Sequence, residues 1–289
     1  MKLKGYLLAL ISAVSYGLIP LFILPVKALG FPLDTTLFYR FLVAAVFILG
    51  FLIYRKESLK ISKTELLFLL ILGLLYALSS DFLFVGYGLL TPGIASTVLF
   101  VYPVFVAVIL ALFFRERMTR FTLISLLITC SGIVILGSNG SSGKFNLSGL
   151  LICVLCALFY ALYMVIVNKS VIKRVSGMKI TFYSLLFSAG YYLVKSLLLG
   201  ESLAVSPQLL LHLSVFALVT TVFSITALVY AIQYIGSTPT SIMGALEPVI
   251  AVLISVGWFG EALTANLVVG VFLILTGVTV NMVFDNRKK

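Results

Sequence analysis

Hydrophobic residues in this chain occur in long runs rather than in short alternating segments. Ten apolar runs are separated by polar residues or by Gly and Pro. Each run is about 18–25 residues long, which lets a helix cross a hydrocarbon core of about 30 Å. None of them has the alternation typical of a membrane β-barrel. The pattern predicts ten transmembrane helices near residues 5–25, 34–54, 65–88, 92–114, 120–137, 147–168, 178–199, 208–232, 238–259 and 264–284.

The composition supports an all-α integral membrane protein. Of the 289 residues, 62% are hydrophobic and only 10% are charged, and the mean hydropathy is +1.23. A soluble domain of this size needs more polar residues to cover its surface. The first run follows Lys2 and Lys4, as in a signal peptide. It is long enough to span a bilayer, so we expect it to be a retained helix.

The basic residues predict the orientation in the membrane. The formal net charge is +11, and sixteen of the twenty basic residues lie on one side when the N-terminus is placed in the cytoplasm. This asymmetry is the positive-inside pattern of a multi-pass protein with both termini cytoplasmic, here in the inner (plasma) membrane. It explains the charge without nucleic acid as a partner. The sixteen are Lys2, Lys4, Arg55, Lys56, Lys60, Lys63, Arg115, Arg117, Arg120, Lys169, Lys173, Arg174, Lys179, Arg287, Lys288 and Lys289.

The two halves of the chain resemble each other. A shift of 144 residues places Tyr16 on Tyr160, and a shift of 145 residues places Pro103 on Pro248. At the second shift, the string YPVFVAVILALFFRERMT overlies EPVIAVLISVGWFGEALT. Each half contains five predicted helices. Because five is odd, the second half enters the membrane in the opposite direction, which gives an inverted repeat typical of secondary transporters.

The predicted organisation is therefore two inverted five-helix repeats, over residues 1–140 and 141–289. A flexible linker, S-N-G-S-S-G at 138–143, separates them. Near the helix ends, Glu116 and Glu261 are expected to cap the helices that follow.

The motifs around the ninth and tenth helices resemble a known family. Glu247-Pro248, the string W-F-G-E-A-L-T after it and Y-A-I-Q-Y-I-G-S before it are similar to the EamA-type branch of the drug/metabolite transporter superfamily. The resemblance implies a ten-helix carrier, often an exporter of amino acids or related metabolites. It also implies a central cavity between the two halves. The first half departs from the pattern, because Tyr102 precedes Pro103 where the second half has an acid.

Glu247 is the sharpest functional candidate. A charge at the bilayer centre is expensive, so such a residue faces the interior of the bundle. Pro103 and Pro248 can kink their helices, because proline lacks a backbone donor. Glu247 is interpreted as a cavity carboxylate that binds a cationic group or a proton. A structural carboxylate bonded to freed backbone groups is the alternative.

A second charged pair is predicted nearer the outer surface. Arg40 and Asp81 lie on consecutive helices, both roughly 9–11 Å below the outer surface at 1.5 Å per residue. We expect them to pair as a gate, or to anchor a substrate carboxylate. A permanent structural pair and snorkelling of Arg40 are the alternatives.

Several hydroxyl groups are further candidates for lining the cavity. Tyr16, Tyr102 and Tyr160 all fall near the midplane, where a buried hydroxyl requires a partner. Ser79, Tyr163 and Thr226 are weaker candidates. Hydrogen bonding between helices is the alternative for all of them.

The sequence predicts transport rather than catalysis. It contains no enzyme motif, and the C-x-x-C of Cys153 and Cys156 has too few partners for a metal site. We expect no cofactor and no metal. The predicted partners are the lipid bilayer, a small-molecule substrate and, as coupling ion, protons. A channel-like facilitator and a flippase for lipids or lipid-linked compounds are the alternatives to a secondary carrier.

Overall fold

All regular elements of the described chain are helical. The computed structural model describes residues 2–115, 120–137, 146–244 and 246–285. The linker 138–143, Glu116, Arg117 and the basic residues 287–289 lie outside the described residues. The α-helices are α1 (Lys2–Gly17), α2 (Ile19–Ala28), α3 (Leu33–Tyr54), α4 (Lys63–Leu89), α5 (Pro92–Leu99), α6 (Tyr102–Phe114), α7 (Arg120–Gly137), α8 (Leu147–Lys169), α9 (Gly177–Leu198), α10 (Pro207–Ala217), α11 (Ser224–Ile235), α12 (Ser237–Met243), α13 (Leu246–Gly257) and α14 (Ala265–Asp285).

Seven helical stretches of the described chain are long and apolar enough to cross a membrane. They coincide with the first four, the sixth, the eighth and the ninth of the predicted spans. The other three predicted spans form α7, α9 and α14, so the count of ten membrane crossings stays a prediction. The seven stretches are Lys2–Ala28, Leu33–Tyr54, Lys63–Leu89, Pro92–Phe114, Leu147–Lys169, Pro207–Ile235 and Ser237–Gly257.

Helices distant in sequence form the interior of the bundle. The most extensive packing joins α3 to α9, α4 to α8 and to α9, α1 to α11, α5 to α13 and α7 to α14. Small residues allow close approach, as is typical of membrane helices. At Gly73, an added Cβ would lie 2.5 Å from Cβ of Phe187 on α9. The core therefore forms between the two halves of the chain.

The two ends of the bundle differ in charge. Lys4, Arg55, Lys60 and Lys179 mark one end, called here the basic end; Lys179 Nζ donates to the carbonyl of Lys60 at 3.2 Å. Asp34, Glu201 and Glu261 mark the opposite end, called the acidic end. There the Glu201 carboxylate accepts bonds from the backbone N–H and the hydroxyl of Thr35, at 2.8 and 2.9 Å, and so caps α3.

Candidate functional site

Two interrupted helices meet at the centre of the bundle. The first consists of α5 and α6, which are separated by Phe100 and Val101. The second consists of α12 and α13, and it is interrupted after Met243. Pro103 and Pro248 lie in the first turn after each break. Proline fits there because the first N–H groups of a helix have no intrahelical acceptor. Both predicted kink residues therefore begin a new helix.

Tyr102 and Glu247 face each other across these breaks. Tyr102 Oη donates to Glu247 Oε1 at 3.4 Å, and Glu247 Oε2 makes no hydrogen bond to any described residue. Glu247 is 5% exposed and Tyr102 is fully buried. The contact requires Gly244, since a Cβ there would lie 1.8 Å from Tyr102 Oη. The site thus holds a buried carboxylate with one free oxygen.

The other two predicted tyrosines join this pair. The rings of Tyr16 and Tyr160 are stacked with centroids 5.7 Å apart, and the ring of Tyr102 meets that of Tyr160 edge-on at 4.8 Å. The hydroxyl of Tyr160 is buried and makes no hydrogen bond within the part of the chain that the structure describes. Tyr16, Tyr102, Tyr160 and Glu247 form one cluster, called here the central cluster. Unsatisfied buried polar atoms are costly, so this cluster suits a polar ligand or water.

The space beside the central cluster is closed. The cavity bounded by Tyr16, Tyr87, Ser96 and Glu247 has a volume of about 10 Å³. That is room for about one water molecule. A metabolite can bind there only if the helices around the breaks move apart.

Arg40 is buried on one side of the centre without a carboxylate. It is fully buried, and its Nε donates to Thr221 Oγ1 at 2.7 Å. Its guanidinium carbon lies 4.5 Å from the ring centroid of Phe216. Within the described residues it makes no ion pair. The cation is held by a hydroxyl, a carbonyl and aromatic faces, which is a cation–π arrangement. Its positive charge is therefore not balanced by a carboxylate in contact with it among the described residues.

A π-helical turn supplies the partners of Arg40. Residues Leu218–Phe223 form this turn between α10 and α11. The Thr220 carbonyl accepts from Arg40 at 3.4 Å. Such turns occur frequently at functional sites. Nothing in the sequence signalled this turn, so Thr220 and Thr221 were not predicted as partners of Arg40; Phe216, at the end of α10, was not predicted either.

The predicted pairing of Arg40 with Asp81 is wrong. Asp81 Oδ1 lies 2.6 Å from Lys195 Nζ, and Tyr191 Oη donates to Asp81 Oδ2 at 3.3 Å. Lys195 also pairs with Asp34 at 2.9 Å. The reason is that α9 packs against both α3 and α4 and so lies between them. Equal depth on consecutive helices does not bring two side chains together when a third helix intervenes.

Replacing Lys195 with Met should destabilise the acidic end. Asp34 and Asp81 would lose their shared cation, which costs several kcal/mol in a fully buried pair. Because the Lys195 side chain is 30% exposed, we expect a smaller loss of about 1–3 kcal/mol in unfolding free energy. Thermal unfolding in detergent measures it, with Lys179→Met as the control. Adding Asp81→Asn to this variant should restore part of the lost stability. A melting temperature of Lys195→Met equal to that of the wild type would contradict the prediction.

The weaker candidates lie in three different places. Ser79 Oγ lies 3.4 Å from Cys156 Sγ, between α4 and α8. The ring of Tyr163 packs against Tyr76 at 5.6 Å. Thr226 lines a groove on the outside of the bundle. Ser79 and Tyr163 therefore contribute packing next to the centre, and Thr226 belongs to a different cavity.

Glu261 joins the two halves at the acidic end. Its carboxylate accepts from the hydroxyl of Thr91, and from the backbone N–H of Gly93 at 3.0 Å. It therefore caps α5, which begins at Pro92. The expectation that it caps the following helix is wrong, because Thr264 Oγ1 accepts from the N–H of Leu267 in α14. The Glu261 contact therefore links the segment after α13 to the start of α5.

Fold and site together define an α-helical, multi-pass membrane protein with a closed polar centre between interrupted helices. The chain belongs to the EamA-like transporter family, whose model matches residues 3–138 and again residues 147–283. The resemblance seen in the motifs is thereby confirmed. Membership in a transporter family favours transport over catalysis.

Relatives of this family match most of the chain. It is 23% identical to an uncharacterized transporter, YdfC, of Bacillus subtilis, over 86% of this chain and 81% of the relative. Uncharacterized transporters of Clostridium kluyveri and Archaeoglobus fulgidus are also 23% identical, over 99% and 92% of this chain and 94% and 91% of theirs. A solved crystal structure with 18% sequence identity has the same fold, with a TM-score of 0.73 over 99% of this chain and 98% of that one.

Proposed function

We propose that this chain is a secondary carrier that exports small metabolites, of the size and polarity of amino acids, by alternating access. The observation that carries the proposal is the contact between Tyr102 and Glu247. These residues begin equivalent helices in the two halves, 145 positions apart, and they touch at two helix breaks. A substrate between them would be contacted by both halves, and proton exchange at Glu247 would couple its movement to a gradient.

Helix ends that recur along the chain support the repeat. Lys56, after α3, and Gly200, after α9, both have positive φ, at 54° and 68°. They are 144 positions apart. Arg115 and Gly260, in the turns after α6 and α13, have φ of 55° and 68° and are 145 positions apart. A left-handed residue is uncommon outside Gly, so two such pairs at the sequence offsets favour a duplicated unit.

Antiparallel packing of equivalent helices supports the inversion. Thr35, at the start of α3, contacts Glu201, just after α9. Tyr183, near the start of α9, donates to the carbonyl of Leu59, just after α3, at 2.7 Å. The two helices therefore run in opposite directions, as inverted copies must. The packing of α4 on α8 likewise has its counterpart in α11 on α1.

The closed centre fits one state of an alternating cycle. The central cluster has room for about one water molecule. The basic end faces the cytoplasm in the proposed orientation, so the Glu261 contact with Thr91 lies on the outer side. Opening there requires that contact to break, and opening on the inner side requires the two breaks to bend the other way. Arg40 adds a second charge of opposite sign to Glu247, which suits a zwitterion.

Counterflow in proteoliposomes tests the proposal. Purified protein is reconstituted, and uptake of single labelled amino acids is measured with and without the same unlabelled compound inside. A carrier should accelerate uptake when the inside is loaded, because return of the loaded site is faster than return of the empty one. Equal uptake into loaded and empty vesicles would instead indicate a pore. Movement of fluorescent lipid in place of amino acids would indicate a flippase.

A further inference from the structure

A large groove on the outside of the bundle lies apart from the central cluster. It has a volume of about 630 Å³ and lies between α1, α3 and α11. Its walls are almost entirely apolar, with Ile11, Phe47 and Phe223 exposed to the surroundings. Grooves of this kind on a membrane protein face lipid chains rather than water.

Two cations lie at the basic end of this groove. Lys4 Nζ lies 5.7 Å from the ring centroid of Tyr234, and the guanidinium carbon of Arg55 lies 5.1 Å from that of Phe51. Both rings belong to the groove lining. Within the part of the chain that the structure describes, neither cation makes an ion pair. Their charge is therefore available to an external anion.

The start of α1 adds to this positive charge. The helix begins at Lys2 and has no acidic residue in its first turn. The first N–H groups of a helix lack intrahelical acceptors and carry a partial positive charge. Basic pockets between helices at a cytoplasmic surface are suited to anionic lipid headgroups.

We propose that this groove binds one anionic phospholipid, with the phosphate between Lys4 and Arg55 and an acyl chain along α3 and α11. Charge complementarity selects an anionic headgroup over a zwitterionic one, and the apolar walls hold the chain. The proposal does not depend on the transported substrate. Its failure would leave the proposed carrier function untouched.

Native mass spectrometry of the full-length protein tests the proposal. The probes are phosphatidylglycerol and phosphatidylcholine with identical acyl chains. We expect the wild type to prefer phosphatidylglycerol. The double variant Lys4→Gln/Arg55→Gln should reduce this preference by about 25-fold, because each basic residue near an anionic headgroup contributes roughly fivefold to the affinity. The control Lys60→Gln/Lys63→Gln removes the same charge from exposed positions at the same end. This control should change the binding of phosphatidylglycerol by less than about twofold.

A second variant distinguishes lipid binding in the groove from a general attraction of lipid to the basic surface. Ile11→Trp fills the groove without changing any charge. It should therefore weaken the binding of both lipids and preserve the ratio of their affinities. Equal binding of the two lipids by the wild type would overturn the proposal. Equal loss in the two charge variants would overturn it as well, because the basic end would then attract lipid without using the groove.

Discussion

Glu247→Gln should abolish the pH dependence of transport and lower its rate at least tenfold, while the protein remains folded. The amide preserves the shape of the side chain and can still accept the bond from Tyr102 Oη. It cannot bind or release a proton, and it removes a charge-assisted interaction with any cationic substrate group, which is worth about 10- to 100-fold. Uptake into proteoliposomes across a series of external pH values measures both effects.

A second carboxylate, that of the half-buried Glu261, gives the control for this experiment. Glu261→Gln changes a carboxylate that caps α5 at the acidic end, away from the central cluster. It should lower stability while keeping the pH profile of the wild type. A Glu247→Gln variant that is well folded and has a wild-type pH profile would show that Glu247 is a structural carboxylate. Thermal unfolding in detergent separates loss of function from loss of folding.

The central cluster could be predicted from the sequence because a repeat carries three-dimensional information. In the proposed inverted repeat, residues at equal positions of the two halves approach each other if they lie near the axis that relates the halves. Tyr16 and Tyr160 are such a pair, and their rings are stacked. Tyr102 and Glu247 are another, and they are hydrogen-bonded. Helix counting places all four residues near the midplane, and the offset pairs Tyr16 with Tyr160; the contact of Tyr102 with Glu247 was not predicted.

The charged groups nearer the ends could not be predicted in this way. Depth is one coordinate, and pairing also depends on which helices are neighbours. Arg40 and Asp81 have similar depth, but α9 separates their helices and provides Lys195. Glu261 likewise contacts a helix of the other half. Helix neighbours follow from side-chain packing along whole helices, and an apolar run in lipid carries little periodic signal for it.

Gly244→Ala should inactivate the protein, because it adds a methyl group where the two halves meet. The new Cβ would lie 1.8 Å from Tyr102 Oη and 3.0 Å from its Cζ. The ring of Tyr102 is fully buried and contacts Tyr160, so it cannot easily move away from the added methyl group. Overpacking of this kind costs about 1–3 kcal/mol, and here it also displaces the hydroxyl from Glu247. We expect a lower melting temperature and transport near background.

A rescue experiment distinguishes this clash from a general effect of removing glycine. Gly190→Ala is the matched control, since nothing lies within 4 Å of a Cβ at that helical position. It should be neutral or slightly stabilising, by up to about 1 kcal/mol. Tyr102→Phe removes the clashing oxygen, so Gly244→Ala/Tyr102→Phe should recover much of the stability lost in the single glycine variant. Losses that simply add in the double variant would mean that Gly244 and Tyr102 do not touch.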